Sequence, residues 1–93
     1  MFSWDVSKAQ ANYDKHRVAF EEAVTVFVDP AGLDWEDTDH SRAKERSKRL
    51  GKSIAGRLLL IVYTLRRAPR DQETIRIIRA RQASRKERKA YAG

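Results

Sequence analysis

The fold of this chain is decided by one apolar run, Leu58-Leu59-Leu60-Ile61-Val62-Tyr63-Thr64-Leu65. The run is continuous and an arginine bounds it on each side, a pattern that is typical of a strand buried on both faces. A strand of this kind needs neighbouring strands and packed layers around it. We therefore predict that residues 58–65 form the central strand of a sheet.

The next strand is predicted after a hydrophilic connection at residues 66–73. The segment Thr74-Ile75-Arg76-Ile77-Ile78-Arg79-Ala80-Arg81 is rich in β-branched residues, which favour strands. We expect it to pair with residues 58–65 as an antiparallel hairpin. Strict alternation places Arg79 and Arg81 on one face and Arg76 on the other, so arginines are expected on both faces of the sheet.

Two helices are predicted ahead of the sheet. The first, which Asp5 can cap, has an apolar stripe and a polar, partly basic stripe at helical spacing: Val6, Ala9 and Tyr13 form one, and Lys8, Asn12, Lys15 and His16 form the other. In the second, the apolar residues Phe20, Ala23, Val24 and Phe27 follow the helical pattern, and Pro30 comes after its end.

The remaining segments give shorter elements. Residues 33–35 are predicted as a short strand, followed by a polar, acidic loop at residues 36–40. Residues 41–51 favour a helix on propensity and have few apolar residues for a strand, and composition alone leaves this segment open. Ser84 and Glu87 form a capping-box pattern that predicts a basic helix from Arg85 to about Tyr91.

Charge is divided unequally along the 93 residues. Residues 1–41 hold three Lys/Arg and nine Asp/Glu, a net charge of −6, whereas residues 42–93 hold seventeen and four, a net charge of +13. A block of this kind forms a field suited to a polyanion, with nucleic acid as the first candidate. The length predicts a single domain over residues 1–93, and without a long apolar segment we expect a cytoplasmic protein with no membrane partner.

The residue types of this chain are suited to binding and reacting with phosphate groups. Cysteine is absent, which excludes disulfides and Cys-based zinc sites. A metal site is disfavoured because the acidic residues of 34–39 lie in one predicted loop, whereas two-metal chemistry needs convergent carboxylates. RNA carries its own nucleophile, the 2′-hydroxyl, so cleavage needs only orientation, a base, an acid and cations for the developing charge. We expect no metal and no cofactor.

Particular residues match a known pattern along nearly the whole chain, in order and at similar spacing. They are Trp4-Asp5, Lys8, Ala9, Asn12, Lys15-His16, Val18, Phe20-Glu21-Glu22-Ala23, Val26-Phe27 and Asp29-Pro30, then Gly51, Ser53, Gly56-Arg57, Val62-Tyr63-Thr64, Ile75-Arg76-Ile77-Ile78, Ala80-Arg81, Ala83, Glu87-Arg88 and Tyr91. In these residues the chain resembles the BrnT family of bacterial toxins.

The resemblance implies a ribonuclease toxin of a type II toxin–antitoxin pair with a RelE-like α+β fold. Two N-terminal helices would pack on a small antiparallel or mixed sheet with a C-terminal helix, and residues 45–53 would be a strand. The implied partner is a BrnA-like antitoxin with a ribbon-helix-helix DNA-binding part, in a heterotetramer. The chain departs from the family pattern at Arg17, where Gly is usual, at Leu65, where an acid is usual, and at Arg79, where a small residue is usual.

The favoured function is therefore a metal-independent endoribonuclease. The catalytic candidates are Arg57, Arg76, Arg79 and Arg81 for the phosphate, and Lys15, His16 and Tyr91 for proton transfer or positioning. The RNA-binding candidates are Lys8, Lys48, Lys52, Arg66, Arg67, Arg85 and Arg88. Each Arg of the strand has a structural alternative, an ion pair with an acid of the helices. The alternative function is a non-catalytic nucleic-acid-binding module or an inactive toxin relic, since loss of the acid at Leu65 would weaken activity.

Overall fold

The computed structural model describes residues 1–37, 46–68 and 72–93, without the side chains of residues 67, 68 and 72. Along the chain the elements are β1 (Phe2–Ser3), α1 (Val6–His16), α2 (Phe20–Thr25) with a following 3₁₀ turn (Val26–Val28), β2 (Leu33–Glu36), β3 (Ser47–Lys52), β4 (Leu58–Ala68), β5 (Gln72–Gln82) and α3 (Arg85–Ala92). The strands form one sheet in the order β1-β5-β4-β3-β2. All pairs are antiparallel except β1 with β5. The predicted α+β fold is confirmed.

The larger core lies between the sheet and the first two helices. Its buried residues are Val18, Phe20, Ala23 and Val26 from the helical layer, with Leu59, Ile61, Tyr63, Ile77 and Ala80 from β4 and β5. An ion pair at the edge of this core joins Arg57, which precedes β4, to Glu22 of α2. The Ser53 hydroxyl donates to the same carboxylate at 2.7 Å. The hairpin between β3 and β4 is therefore fixed to α2.

Both ends of α1 follow the local chemistry of the sequence. The Asp5 carboxylate accepts a hydrogen bond from the Lys8 amide at 3.0 Å, which satisfies one of the free N–H groups at the helix start. The helix ends at His16, and the φ of 57° at the following residue, Arg17, lies in the left-handed region. A non-glycine residue is costly there, which gives a physical reason for the glycine that the family usually has at this position.

Several predicted boundaries were wrong. The helix propensity of residues 41–51 is overruled at its described end, because β3 runs from Ser47 to Lys52 between two other strands; the strand implied by the resemblance is confirmed over that range. The predicted connection at residues 66–73 is strand at its described positions, since β4 continues to Ala68 and β5 begins at Gln72, while residues 69–71 lie outside the described ranges. Of the predicted acidic loop, Glu36 belongs to β2 and Asp37 is buried, while residues 38–40 lie outside the described ranges.

An irregularity in β5 changes which face its arginines occupy. Opposite Val62 and Tyr63 the register shifts by one residue, so that Val62 pairs with Arg79 and Tyr63 pairs with Ile77. Ile78 is the extra residue of this β-bulge, and the alternation of faces restarts on either side of it. The prediction of arginines on both faces was therefore wrong. The next section describes the face that they share.

Candidate nucleic-acid interface

The sheet face opposite α1 and α2 is called the open face below. Part of it is covered by α3, whose Tyr91 packs against a small buried cluster of Leu50, Leu58, Leu60 and Ala83. The predicted capping box positions the start of α3: the Ser84 hydroxyl accepts from the Glu87 amide at 3.2 Å, and the Glu87 carboxylate accepts from the Ser84 amide at 2.8 Å. The α3 helix therefore forms one border of the open face.

Strand pairing arranges the side chains of the open face in rows. The first row, beside α3, contains Leu33, Leu50, Leu60 and Arg81, and the second contains Trp35, Lys48, Val62 and Arg79. In the third, Thr64 pairs with Arg76. Directly paired residues have Cβ atoms about 5 Å apart, so each row is a continuous strip across the sheet. The bulge thus places all three arginines of β5 on the open face.

Cationic side chains surround a small depression in this face, of about 50 Å³. Its lining combines the apolar floor of Leu60 and Val62 with Asp37, Arg46, Lys48, Arg79 and Arg81. The Lys48 ammonium lies 3.9 Å from the Asp37 carboxylate, whose side chain is only 4% exposed. Four cations and one acid leave the depression with a net positive charge. A phosphate group is the ligand that such a lining favours.

The three arginines of β5 differ in their partners. Arg81 makes a bidentate ion pair with Glu87 of α3, at 2.8 and 2.9 Å. For Arg81 the structure therefore has the structural alternative, an ion pair with an acid of a helix. Within the described ranges, neither Arg76 nor Arg79 has an ion pair, and Arg79 is exposed. The buried Thr64 hydroxyl, in the row of Arg76, has no hydrogen-bond partner within the same ranges. Among the described residues, the open face therefore has two arginines without an ion pair at its surface and a buried hydroxyl without a partner beneath it.

A second cavity, of about 300 Å³, lies at the edge of β5 against α1. It is lined by Lys8, Ala11, Asn12, Lys15, His16, Ile78 and Arg79. Arg79 therefore lines both cavities and connects the open face to the basic stripe of the first helix. The predicted grouping of Lys8, Lys15 and His16 on one helix face is consistent with this arrangement, but Asn12 of the same stripe is buried.

Asn12 joins α1 to the unpaired edge of β5. Its amide donates to the carbonyl oxygens of Val18 and Ala80, both at 2.9 Å, and its carbonyl oxygen accepts from the Ala80 amide at 3.1 Å. A side-chain amide thus takes the place of a neighbouring strand. These hydrogen bonds fix the position of α1 along β5, and they therefore also fix the position of His16 relative to Arg79.

The environment of His16 favours its neutral form. Partial burial lowers the pKa of His16 below its usual 6.5, and the positive charges of Lys15, Arg79 and Arg81 lower this pKa further. The imidazole is then uncharged at neutral pH, which is the state that can accept a proton. A neutral histidine beside an exposed arginine is a suitable arrangement for general base catalysis at a phosphate.

Two of the predicted catalytic residues lie elsewhere. The Arg57 guanidinium donates to Glu22 and to the Arg17 carbonyl oxygen, on the helix side of the sheet. The Tyr91 hydroxyl donates to the Asp29 carboxylate at 2.7 Å, and that hydrogen bond raises the pKa of Tyr91. Both side chains are engaged in contacts that hold elements together, and neither lines the two cavities.

The predicted RNA-binding residues are dispersed. Lys48 lines the depression, and Lys8 lines the second cavity. The other candidates with described side chains are exposed and line neither of these cavities. They are Lys52 at the end of β3, Arg66 near the end of β4, and Arg85 and Arg88 on α3. Arg67 lies in β4, but its side chain is outside the described part of the structure.

Sequence reasoning missed three residues of the open face: Asp37, Arg46 and Trp35. The sequence pattern places Asp37 in an acidic loop, yet its side chain is buried beside Lys48 and lines the depression. Arg46 precedes β3 in a segment whose composition gave no clear strand. One signal in the sequence could have indicated that Trp35 and Asp37 share a face, because residues two apart on an extended chain lie on the same side.

Two general features concern metals and membranes. Within residues 1–37, 46–68 and 72–93, no group of three or more His, Asp or Glu side chains is placed to hold a metal ion. Among the helices of the same ranges, none combines the length and apolar character needed to cross a bilayer.

Comparison with known proteins identifies the family. The model of a family described as "Ribonuclease toxin, BrnT, of type II toxin-antitoxin system" matches residues 4–87. Among solved structures, the ribonuclease toxin BrnT of Brucella abortus matches with a TM-score of 0.63 and 20% identity, over 91% of this chain and 99% of that one. At that identity the likeness shows the fold alone, and no curated protein sequence matches. On the family match, this chain belongs to the BrnT ribonuclease toxins of type II toxin–antitoxin systems.

Proposed function

We propose that this toxin is a metal-independent endoribonuclease that cleaves RNA at Arg79, where the open face meets α1, through attack of the RNA 2′-hydroxyl. The observation that carries the proposal is the bulge at Ile78, which places Arg76, Arg79 and Arg81 on one face beside Lys48. Cations at this density can stabilise the charge that develops on a pentacoordinate phosphate. A metal ion is not needed for that role when side chains supply it.

The residues around Arg79 have separate roles in the proposed cleavage reaction. Arg79 binds the scissile phosphate, since it is exposed and lines both cavities. His16 in its neutral form removes the proton of the 2′-hydroxyl, and Lys15 beside it is the candidate for positioning the strand or returning a proton. Arg76, which is partly exposed on the same face, contacts the adjacent backbone. The products are a 2′,3′-cyclic or 3′-phosphate end and a free 5′-hydroxyl.

The presence of Leu65 in place of the acid that is usual in the family does not deprive this site of a side chain. It pairs with Ile75 on the helix side of the sheet, and Ile75 packs against the larger core. An acid at this position would therefore lie on the opposite face from the three arginines. The departure from the family pattern at Leu65 leaves the proposed chemistry intact.

A single-turnover assay with saturating RNA in excess chelator tests the proposal. The wild-type protein should cleave with unchanged rate on chelation, and Arg79→Ala should lower the rate constant by about 100-fold, as loss of one transition-state contact does. The matched control is Lys86→Ala, which removes an exposed cation from α3 and should alter only salt-dependent binding. Loss of activity on chelation, or a protein that binds RNA without cleaving it, would reject the proposal and favour a non-catalytic binding module.

The pH dependence of the rate tests the base. Cleavage should rise with pH through the lowered pKa of His16 and be constant near neutrality, because the neutral imidazole is the active form. The His16→Ala protein should lose that rise together with most of its rate. A His16→Ala protein with the wild-type pH profile would exclude His16 as the base.

We also propose that a BrnA-like antitoxin, with a ribbon-helix-helix part and two toxins in a heterotetramer, silences the toxin by covering the open face and α3. The exposed face of α3 carries Arg85, Lys86, Arg88 and Lys89, which suits an acidic or amphipathic segment. Charge reversal at Lys86, Arg88 and Lys89 should weaken antitoxin binding in low-salt titration calorimetry. Unchanged affinity at low salt would assign neutralisation to another surface.

A further inference from the structure

The exposed indole of Trp35 is a feature of the open face that the cations do not explain. Trp35 is 41% exposed, an unusual state for the largest apolar side chain. Its neighbour Asp34 turns to the helix side, where it pairs with Arg49 and accepts from the Tyr63 hydroxyl at 2.8 Å. Alternation along β2 therefore places the indole on the open face.

Trp35 lies in the same row as two of the cations. It pairs with Lys48, which pairs with Val62, which pairs with Arg79. Three strand spacings of about 4.8 Å separate the ends of this row, which is therefore about 14 Å long at the backbone. An aromatic ring thus stands beside a strip that ends in an exposed arginine. A nucleic-acid strand along this row would meet a stacking surface and phosphate ligands together.

We propose that Trp35 stacks a base of single-stranded RNA whose phosphates are held at Lys48 and Arg79, and that this contact makes the open face selective for single strands over duplexes. The inference rests on the proposed function and names its substrate class. Bases of a duplex are stacked on one another and their faces are hidden, whereas an unpaired base can turn onto an aromatic ring. The cations alone would bind either form.

Tryptophan fluorescence gives a direct readout, because the chain has only two tryptophans. Trp4 packs edge-on against Phe20 on the helix side, with ring centroids 6.0 Å apart, so a Trp4→Phe protein reports on Trp35 alone. A single-stranded 2′-O-methyl RNA, which cannot be cleaved, should quench this emission. An abasic oligonucleotide with the same phosphates should bind without quenching.

Affinity measured by anisotropy of a labelled 2′-O-methyl strand is the second readout and does not depend on the Trp4→Phe protein. Trp35→Ala should weaken single-strand binding by about tenfold, as loss of one stacked base does, and should leave duplex binding unchanged. Trp35→Phe should recover most of the loss. The matched control is Leu33→Ala on the same strand, where a side chain of 40% exposure has no aromatic ring to lose.

The outcomes separate the two proposals. Equal quenching by the abasic strand, or single-strand binding unchanged in Trp35→Ala while Arg79→Ala weakens it, would overturn the stacking contact and leave the RNA face standing. No binding of either strand by the wild-type protein would overturn the RNA face itself. Cleavage is measured separately, so its absence would count against the catalytic proposal alone.

Discussion

Replacement of Asn12 by alanine should destabilise the fold far more than its place on a helix surface stripe suggests. The side chain is buried and makes three hydrogen bonds, two to Ala80 and one to Val18. Its removal leaves the amide and carbonyl groups of Ala80 in β5 and the carbonyl group of Val18 after α1 without partners. Each orphaned group costs about 1 to 3 kcal/mol, and partial access of water lowers the sum, so we expect a loss of about 3 kcal/mol.

Urea denaturation followed by circular dichroism measures this loss as a shift of the midpoint at constant slope. The matched control is Gln10→Ala on the same helix, whose exposed amide makes one bond to Asp14 at 3.0 Å. That change should cost less than about 0.5 kcal/mol. If Asn12→Ala costs no more than Gln10→Ala, Asn12 does not fix α1 to the sheet, and the placement of His16 needs another explanation.

Three further changes test other contacts. Arg17→Gly should raise the free energy of unfolding by about 0.5 kcal/mol, because glycine adopts the left-handed conformation without strain; a decrease in a urea titration would count against this. Hydrogen bonding from Arg57 lowers the pKa of Glu22, so this ion pair stabilises the fold above the usual carboxyl pKa and is lost as pH falls through the lowered value. Glu22→Gln should thus be less stable than the wild type at pH 7, with the difference vanishing in acid; a pH-independent difference would contradict this. Tyr91→Phe removes the bond to Asp29 and should speed amide exchange in α3, whereas unchanged exchange would show that the bond is dispensable.

Local pattern was sufficient for the elements that carry their own signals. The apolar run at residues 58–65 is strand throughout, and the capping box at Ser84 and Glu87 starts a helix at Arg85, as the sequence predicts. These signals act over a few residues, through burial on both faces in one case and a reciprocal hydrogen bond in the other. Sequence reasoning is reliable where the structure follows from such short-range causes.

The geometry of the site depends on causes that are not local. The bulge at Ile78 exists only in the pairing of β5 with β4, so alternation read from β5 alone put Arg76 on the wrong face. Likewise β3 is a strand because it pairs on both sides, although its own residues include few that favour one. The resemblance includes Arg81 and not Arg79, but no local pattern shows that Arg81 is held by Glu87 while Arg79 is unpaired among the described residues.

The most direct test of the central claim uses a DNA strand that contains a single ribonucleotide, incubated with the wild-type toxin in excess chelator. Because the proposed nucleophile is the 2′-hydroxyl, cleavage should occur only on the 3′ side of that ribonucleotide and leave a 2′,3′-cyclic phosphate. The Arg79→Ala protein should bind the same strand and cleave it about 100-fold more slowly. Cleavage of the all-deoxy strand at a similar rate, or an Arg79→Ala protein with the wild-type rate, would contradict the account.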